Sequence, residues 1–112
     1  MSVALAIDWI PVCDFHDLMV DRGVAALVAG EQVALFRTVD NRVYALANRD
    51  PFCGAFVLSR GIVGSRGDIP VVMSPMYKQA IDLRTGHSLD DPSVTVPVWP
   101  VRVVGGVVEV GR

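Results

Sequence analysis

Cys13-Asp14-Phe15-His16 sets a thiol and an imidazole at the Cys-x-x-His spacing with which a short segment offers two ligands to zinc. A closed site needs a second pair, and only Cys53 and His87 remain to form it, far apart in the chain. The pattern therefore reads as a small buried thiol at Cys13 and an exposed His16, not as a metal centre. Asp14, Asp17 and Asp21 supply carboxylates, but on a short amphipathic turn they read as its solvated face, complementing the helix dipole. Asp90-Asp91-Pro92 reads as a turn. Acid-base catalysis requires two groups held in a cleft with their pKa values driven apart, and no pair here carries that mark. Ser59 and Ser74 lack the Gly-x-Ser-x-Gly setting of a nucleophile elbow. Gly61-Ile62-Val63-Gly64-Ser65-Arg66-Gly67 is glycine-rich without the Gly-Lys-Ser/Thr ending of a phosphate cradle, so flexibility is its simpler reading. The expectation is a chain with no catalytic, cofactor-binding or metal-ligating residues of its own.

The elements that position these residues belong to a chain of 112 residues, expected to form one domain. Such a length hides roughly 65% of the unfolded surface in a single core without help from disulfides. Ten basic and twelve acidic residues leave a net charge of -2, with no basic field for a phosphate backbone. Nucleic acid is excluded as an expected partner. No apolar run approaches the ~18 residues of a membrane span, and Met1 to Leu5 lacks a basic n-region, so the expectation is a soluble cytoplasmic protein with no membrane partner. Cys13 and Cys53 are expected to be free thiols in a reducing compartment. Apolar residues make up 52% of the chain, which suggests that part of its surface is buried against a partner protein.

Pro11 to Asp21 starts with a helical turn in this reading: Asp14 caps it, Phe15, Leu18 and Met19 share a face, and Gly23 ends it. Strands follow at Val24–Val28 and Gln32–Arg37, with Ala29-Gly30-Glu31 as the hairpin turn, then at Arg42–Ala47 after a turn at Asp40-Asn41. Gly54–Gly67 reads as a long irregular connection. Ile69–Met73 and Lys78–Leu83 read as strands, and Val94–Val98 as an edge strand limited by Pro97 and Pro100. Val101–Val104 and Val107–Val110 close on Gly105-Gly106 as a two-residue hairpin, since both glycines accept positive φ. Short strands at this spacing predict an all-β barrel or sandwich. Trp9 and Trp99 are either core residues or interface anchors.

Between Asn48 and Gly86 lie two loops, Asn48-Arg49-Asp50-Pro51-Phe52-Cys53-Gly54-Ala55 and Ser74-Pro75-Met76-Tyr77-Lys78-Gln79. Together they resemble a Rieske domain, in which a Cys-Pro-His loop and a Cys-Pro-x-His loop hold a two-iron, two-sulfur cluster. The resemblance puts the four ligand positions at Asp50, Phe52, Ser74 and Tyr77. Phe52 has no donor atom, and a carboxylate, a hydroxyl and a phenol are hard oxygen groups where the iron takes soft thiolate and imidazole. The implied fold is a Rieske-like barrel or sandwich without a cluster, with residues 48–83 as an inserted loop sub-domain.

Asp50-Pro51-Phe52, Val57-Leu58-Ser59-Arg60-Gly61, Ser74-Pro75-Met76-Tyr77-Lys78-Gln79 and Asp82-Leu83-Arg84-Thr85-Gly86, in this order, resemble the small subunit of NADH-dependent assimilatory nitrite reductase. The resemblance runs from Trp9 to Val110 and departs from the family pattern at Met76, Ala80 and Ser88. It implies a chain without an active site that acts as a subunit of an NAD(P)H-dependent oxidoreductase reducing nitrite to ammonium. The implied partner is a large subunit carrying FAD, an iron-sulfur cluster and sirohaem. Asp50, Phe52, Arg60, Tyr77, Lys78 and Gln79 are the expected contact residues, although Asp50, Arg60, Lys78 and Gln79 also read as a plain polar rim. The alternatives are a Rieske-type ferredoxin carrying electrons to an oxygenase and a β-barrel interaction module of unrelated function.

Overall fold

The computed structural model describes residues 7–76 and 78–112; Met1 to Leu5 and Tyr77, named above, lie outside the described residues. Its strands in chain order are β1 (Trp9–Asp14), β2 (Arg22–Val28), β3 (Glu31–Arg37), β4 (Val43–Ala47), β5 (Ile62–Arg66), β6 (Ile69–Met73), β7 (Ala80–Asp82), β8 (Val98–Trp99), β9 (Val101–Val104) and β10 (Val107–Gly111). Two single 3-10 turns, Phe15–Asp17 and Leu58–Arg60, complete the regular structure of the described residues. The strands form three antiparallel sheets with orders β1-β10-β9, β2-β3-β4-β8 and β5-β6-β7. The architecture is all-β and sandwich-like, without closure into a barrel.

The central sheet is the middle layer, and β3 shows why. Successive side chains of a strand point to opposite faces. Val33 and Leu35 join Leu18, Val28, Ala45, Val108 and Val110 in one buried cluster. Ala34 and Phe36 join Leu46, Leu58, Val72, Ile81 and Leu83 in the other. One face of β3 therefore packs on the terminal sheet and the opposite face on the sheet β5-β6-β7, which is why its sequence is apolar without alternation. That third sheet is an insertion: the chain leaves β4, builds β5, β6 and β7, and returns to pair β8 beside β4 through Ala45↔Trp99 and Leu46↔Val98.

Several local expectations change. The helical turn expected from Pro11 gives way to β1, because these residues pair with β10 through a register shift between Pro11 and Cys13. Only Phe15–Asp17 keeps a helical turn, and Asp14 makes no side-chain cap to it. Gly54–Gly67 is not irregular throughout: Ile62–Arg66 is a strand held by pairing with β6, a tertiary contact invisible in its composition. The expected strand Val94–Val98 is reduced to Val98–Trp99 with an isolated Thr95–His87 bridge, as prolines at 97 and 100 remove ladder donors. The strand Lys78–Leu83 shortens to Ala80–Asp82, with Lys78 in the left-handed region at φ 57°. The β2–β3 turn is the two-residue Ala29-Gly30, since Val28 pairs with Glu31 and both turn residues have positive φ.

Candidate functional site

The first loop is built outward from β4. Asn48, 1% exposed, follows its last residue and holds three segments together. Its Nδ2 donates to Gln32 Oε1 and to the Phe56 carbonyl, both at 3.2 Å, and its Oδ1 accepts the Ser59 amide at 2.8 Å. The Leu58 amide donates to its carbonyl at 3.0 Å. Asp50 then tightens the loop. Its Oδ1 accepts the amides of Phe52 at 2.8 Å and Cys53 at 3.4 Å, and its backbone closes on Ala55 and Gly54. This is the Asx pattern in which a side-chain oxygen replaces a backbone partner.

Val57-Leu58-Ser59-Arg60-Gly61 is the base on which this loop sits. Leu58 is fully buried in the core that faces the insertion. The Ser59 carbonyl presses against Gly23, where a Cβ would lie 2.2 Å from its oxygen. Gly61 is equally close to β6: a Cβ there would meet the Met73 carbonyl oxygen at 2.5 Å. The motif thus encodes one apolar peg and a backbone approach that only glycine permits.

The second loop closes with the Ser74 amide donating to the Gln79 carbonyl at 3.0 Å and the Lys78 amide to the Ser74 carbonyl at 2.8 Å. The two loops meet through side chains. Ser74 Oγ donates to Asp50 Oδ2, with Asp50 at 0% and Ser74 at 1% exposure. Phe52 is half-buried and packs on the Leu58–Val72–Ile81 core. Arg60 and Lys78 are exposed, and Gln79 is half-buried with its Oε1 shielded from solvent and lacking a hydrogen-bond partner among the described residues. Tyr77 lies outside the described residues. Asp50 departs from the expected contact role: with no surface of its own and both carboxyl oxygens engaged, it holds the loops instead of touching a partner. A buried carboxyl is tolerated here because two amides and a hydroxyl satisfy it.

The remaining reactive groups are not brought together. Cys13 packs on the cluster that faces the terminal sheet, while Cys53 sits half-buried on the first loop, and both are free thiols. Burial, helped by the charges of Asp17 and Asp14, pushes the Cys13 thiol above its ordinary pKa, the reverse of an activated nucleophile. Among the described residues no three His, Cys, Asp or Glu side chains converge on a metal position. Sequence reasoning missed the role of Asn48 as the hub of the first loop. It also read Asp90 only as part of a turn, whereas its carboxylate accepts the Ala80 amide at 2.8 Å and pairs with Arg66 at 2.9 Å. The available signal for Asn48 was an amide side chain placed directly after an apolar strand.

Residues 8–111 match the family of the Rieske-like [2Fe-2S] domain. Over 102 residues, 90% of this chain and 94% of that one, the sequence is 39% identical to the nitrite reductase (NADH) small subunit of Salmonella typhimurium. The chain belongs to this small-subunit family. A crystal structure of a Mycobacterium tuberculosis protein, described as an NADH-dependent nitrite reductase small subunit, superposes with a TM-score of 0.92 at 50% identity, covering 96% of each chain. A third relative has a different organisation. The nitrite reductase [NAD(P)H] large subunit of Klebsiella oxytoca is 45% identical over 104 residues, 93% of this chain, which spans only 11% of that protein's length.

The broader family implies a two-iron, two-sulfur cluster, and the residues present do not fit one. Asp50 and Ser74 are hydrogen-bonded to each other, Phe52 offers no donor and packs on the core, and Cys53 is already set back in an Asx turn. Buried oxygen groups engaged with one another are the wrong chemistry for sulfide-bridged iron.

Proposed function

We propose that the chain is the non-catalytic small subunit of an NAD(P)H-dependent nitrite reductase, which reduces nitrite to ammonium in nitrate assimilation. It docks on a large subunit that carries FAD, an iron-sulfur cluster and sirohaem, and it stabilises or orients that subunit in a cytoplasmic hetero-oligomer. The chain itself holds no cofactor. The observation that carries this reading is the side-chain hydrogen bond between Asp50 and Ser74, which ties the two loops at the positions where the Rieske resemblance puts thiolates. A chain that keeps both loops in shape without cluster ligands has retained a surface, not an electron carrier. The fusion of the same domain to a large chain in the Klebsiella oxytoca relative supports a partner of that kind. Residues 48–83 are the docking sub-domain in this reading, with Phe52, Arg60, Tyr77, Lys78 and Gln79 as contacts and Asp50 as their support.

A pull-down of the tagged chain from its native host grown on nitrate tests the assignment. Co-elution of a large flavin and sirohaem protein, with NADH-dependent nitrite reduction in the eluate, is expected. Elution of the chain alone at low salt would remove the subunit assignment. Iron analysis of the anaerobically purified chain is expected to give no stoichiometric iron, and two irons per chain with visible absorption would return the ferredoxin reading.

A further inference from the structure

The described ion pairs lie outside the two loops. Arg42 pairs with Asp40, Arg66 with Asp90, Arg84 with Asp82, Arg102 with Glu109 and Arg112 with Glu31. The loops and the 3-10 turn that supports them carry the cations Arg49, Arg60 and Lys78, all exposed and none in an ion pair among the described residues. The only carboxylic acid in these segments, Asp50, is fully buried. A chain of net charge -2 therefore exposes three cations and no acid on these segments, and Asp21, which shares a depression with Arg60, is accompanied there by Arg22.

Apolar surface accompanies these charges. Phe56, on the first loop's return, is 54% exposed, and Leu27 at the end of β2 is 73% exposed. Both line, with Trp99 and Arg49, a depression of ≈ 380 Å³ beside the loop. Its one acid, Glu31, is held by Arg112 at 3.0 Å. Exposed aromatic and leucine side chains around a concave floor, with an arginine at the edge, match the make-up of a docking centre.

We infer that the surface of the two loops and their supporting turn docks on an acidic, apolar patch of the large subunit, with Arg49, Arg60 and Lys78 steering the approach and Phe56, beside Leu27 and Trp99, as the buried anchor. The inference rests on the subunit assignment proposed above and specifies the chemistry of the partner surface. Like charges would be repelled and opposite charges drawn in, so the association rate depends on ionic strength, whereas the anchor sets the lifetime of the complex.

The test is binding of the full chain to the large subunit purified from the same host, followed across a salt series. For the wild type, affinity is expected to fall steeply with salt. The triple variant Arg49→Gln, Arg60→Gln, Lys78→Gln should associate about tenfold or more slowly at low salt and lose most of the salt dependence. The charge-conserving triple Arg49→Lys, Arg60→Lys, Lys78→Arg should restore both. Phe56→Ser should dissociate about tenfold or more faster with the salt dependence intact, and Arg102→Gln, an ion-paired arginine on another sheet, should bind as the wild type does. If the wild type binds while the neutralised triple and Phe56→Ser bind equally well, the docking inference fails and the subunit assignment stands. If the wild type does not bind the large subunit at all, both fall.

Discussion

Asp50 is a residue whose meaning depends on one distant neighbour. As a loop carboxylate it reads as solvated, and without Ser74 it would have little reason to be buried. With the Ser74 hydroxyl on Oδ2 and two amides on Oδ1, full burial becomes tolerable and the acid joins the loops. Replacing it with alanine strands these donors inside the protein, each costing about 1–3 kcal/mol when left unpaired. Asp50→Ala is therefore expected to lower the unfolding free energy by about 2–4 kcal/mol in urea denaturation. Ser74→Ala removes one donor and should cost clearly less, about 1–2 kcal/mol. Equal losses for the two variants would mean that the inter-loop bond, not the Asx turn, carries the whole effect. Asn48 behaves by the same logic, and its three side-chain bonds place Asn48→Ala in the range of Asp50→Ala.

Among the elements, those with local causes were legible in the sequence. The hairpin of β9 and β10 follows from Gly105 and Gly106, whose φ values of 58° and 80° are the positive angles a primed turn needs. β6 appears with the bounds its apolar run suggests. β5 was not legible, because Ile62-Val63-Gly64-Ser65-Arg66 has little strand character of its own and is held by its partner. β1 was misread as the start of a turn because its partner, β10, lies at the other end of the chain. The loop motifs were legible as a pattern and opaque as packing: nothing in Val-Leu-Ser-Arg-Gly announces that the glycine lies flush against β6. Gly61→Ala drives a Cβ into the Met73 carbonyl oxygen, so a loss of about 2–3 kcal/mol is expected. Gly86→Ala should be worse. It combines a φ of 79° with a Cβ 2.0 Å from the Val96 carbonyl oxygen, and a loss above about 3 kcal/mol in thermal or chemical denaturation is expected.

For the whole molecule, acid is the sensitive direction. Burial by itself would raise the Asp82 pKa, but the Arg84 side chain and amide outweigh it and hold the carboxylate below its ordinary value. Arg66 does the same for Asp90, with help from the Ala80 amide. A carboxylate whose pKa is lower in the folded protein than in the unfolded chain adds stability that is fully present above the unfolded value, about 3.9. That contribution is lost as pH falls through the folded value. The contribution of these two carboxylates should therefore be constant from about pH 5 to 7 and decline below about pH 4. Arg66→Gln is expected to make the acid limb shallower in a denaturation series against pH, while an unchanged limb would remove the Arg66–Asp90 pair from the explanation.

The insertion between β4 and β8 also bears on how the protein opens. β8 is attached to β4 by two residue pairs, whereas β3 is fastened along its length on both sides. The sheet β5-β6-β7 shares no strand ladder with the central sheet and rests on it through the side chains of one core, so this part is expected to loosen as a cooperative unit below the global transition. Deuterium uptake is expected to separate into two tiers, with amides of β5 and β6 exchanging ahead of those in β3. Seating on a partner would merge the tiers, so the uptake of Ile62–Arg66 would report occupancy of the loops without any label placed on them.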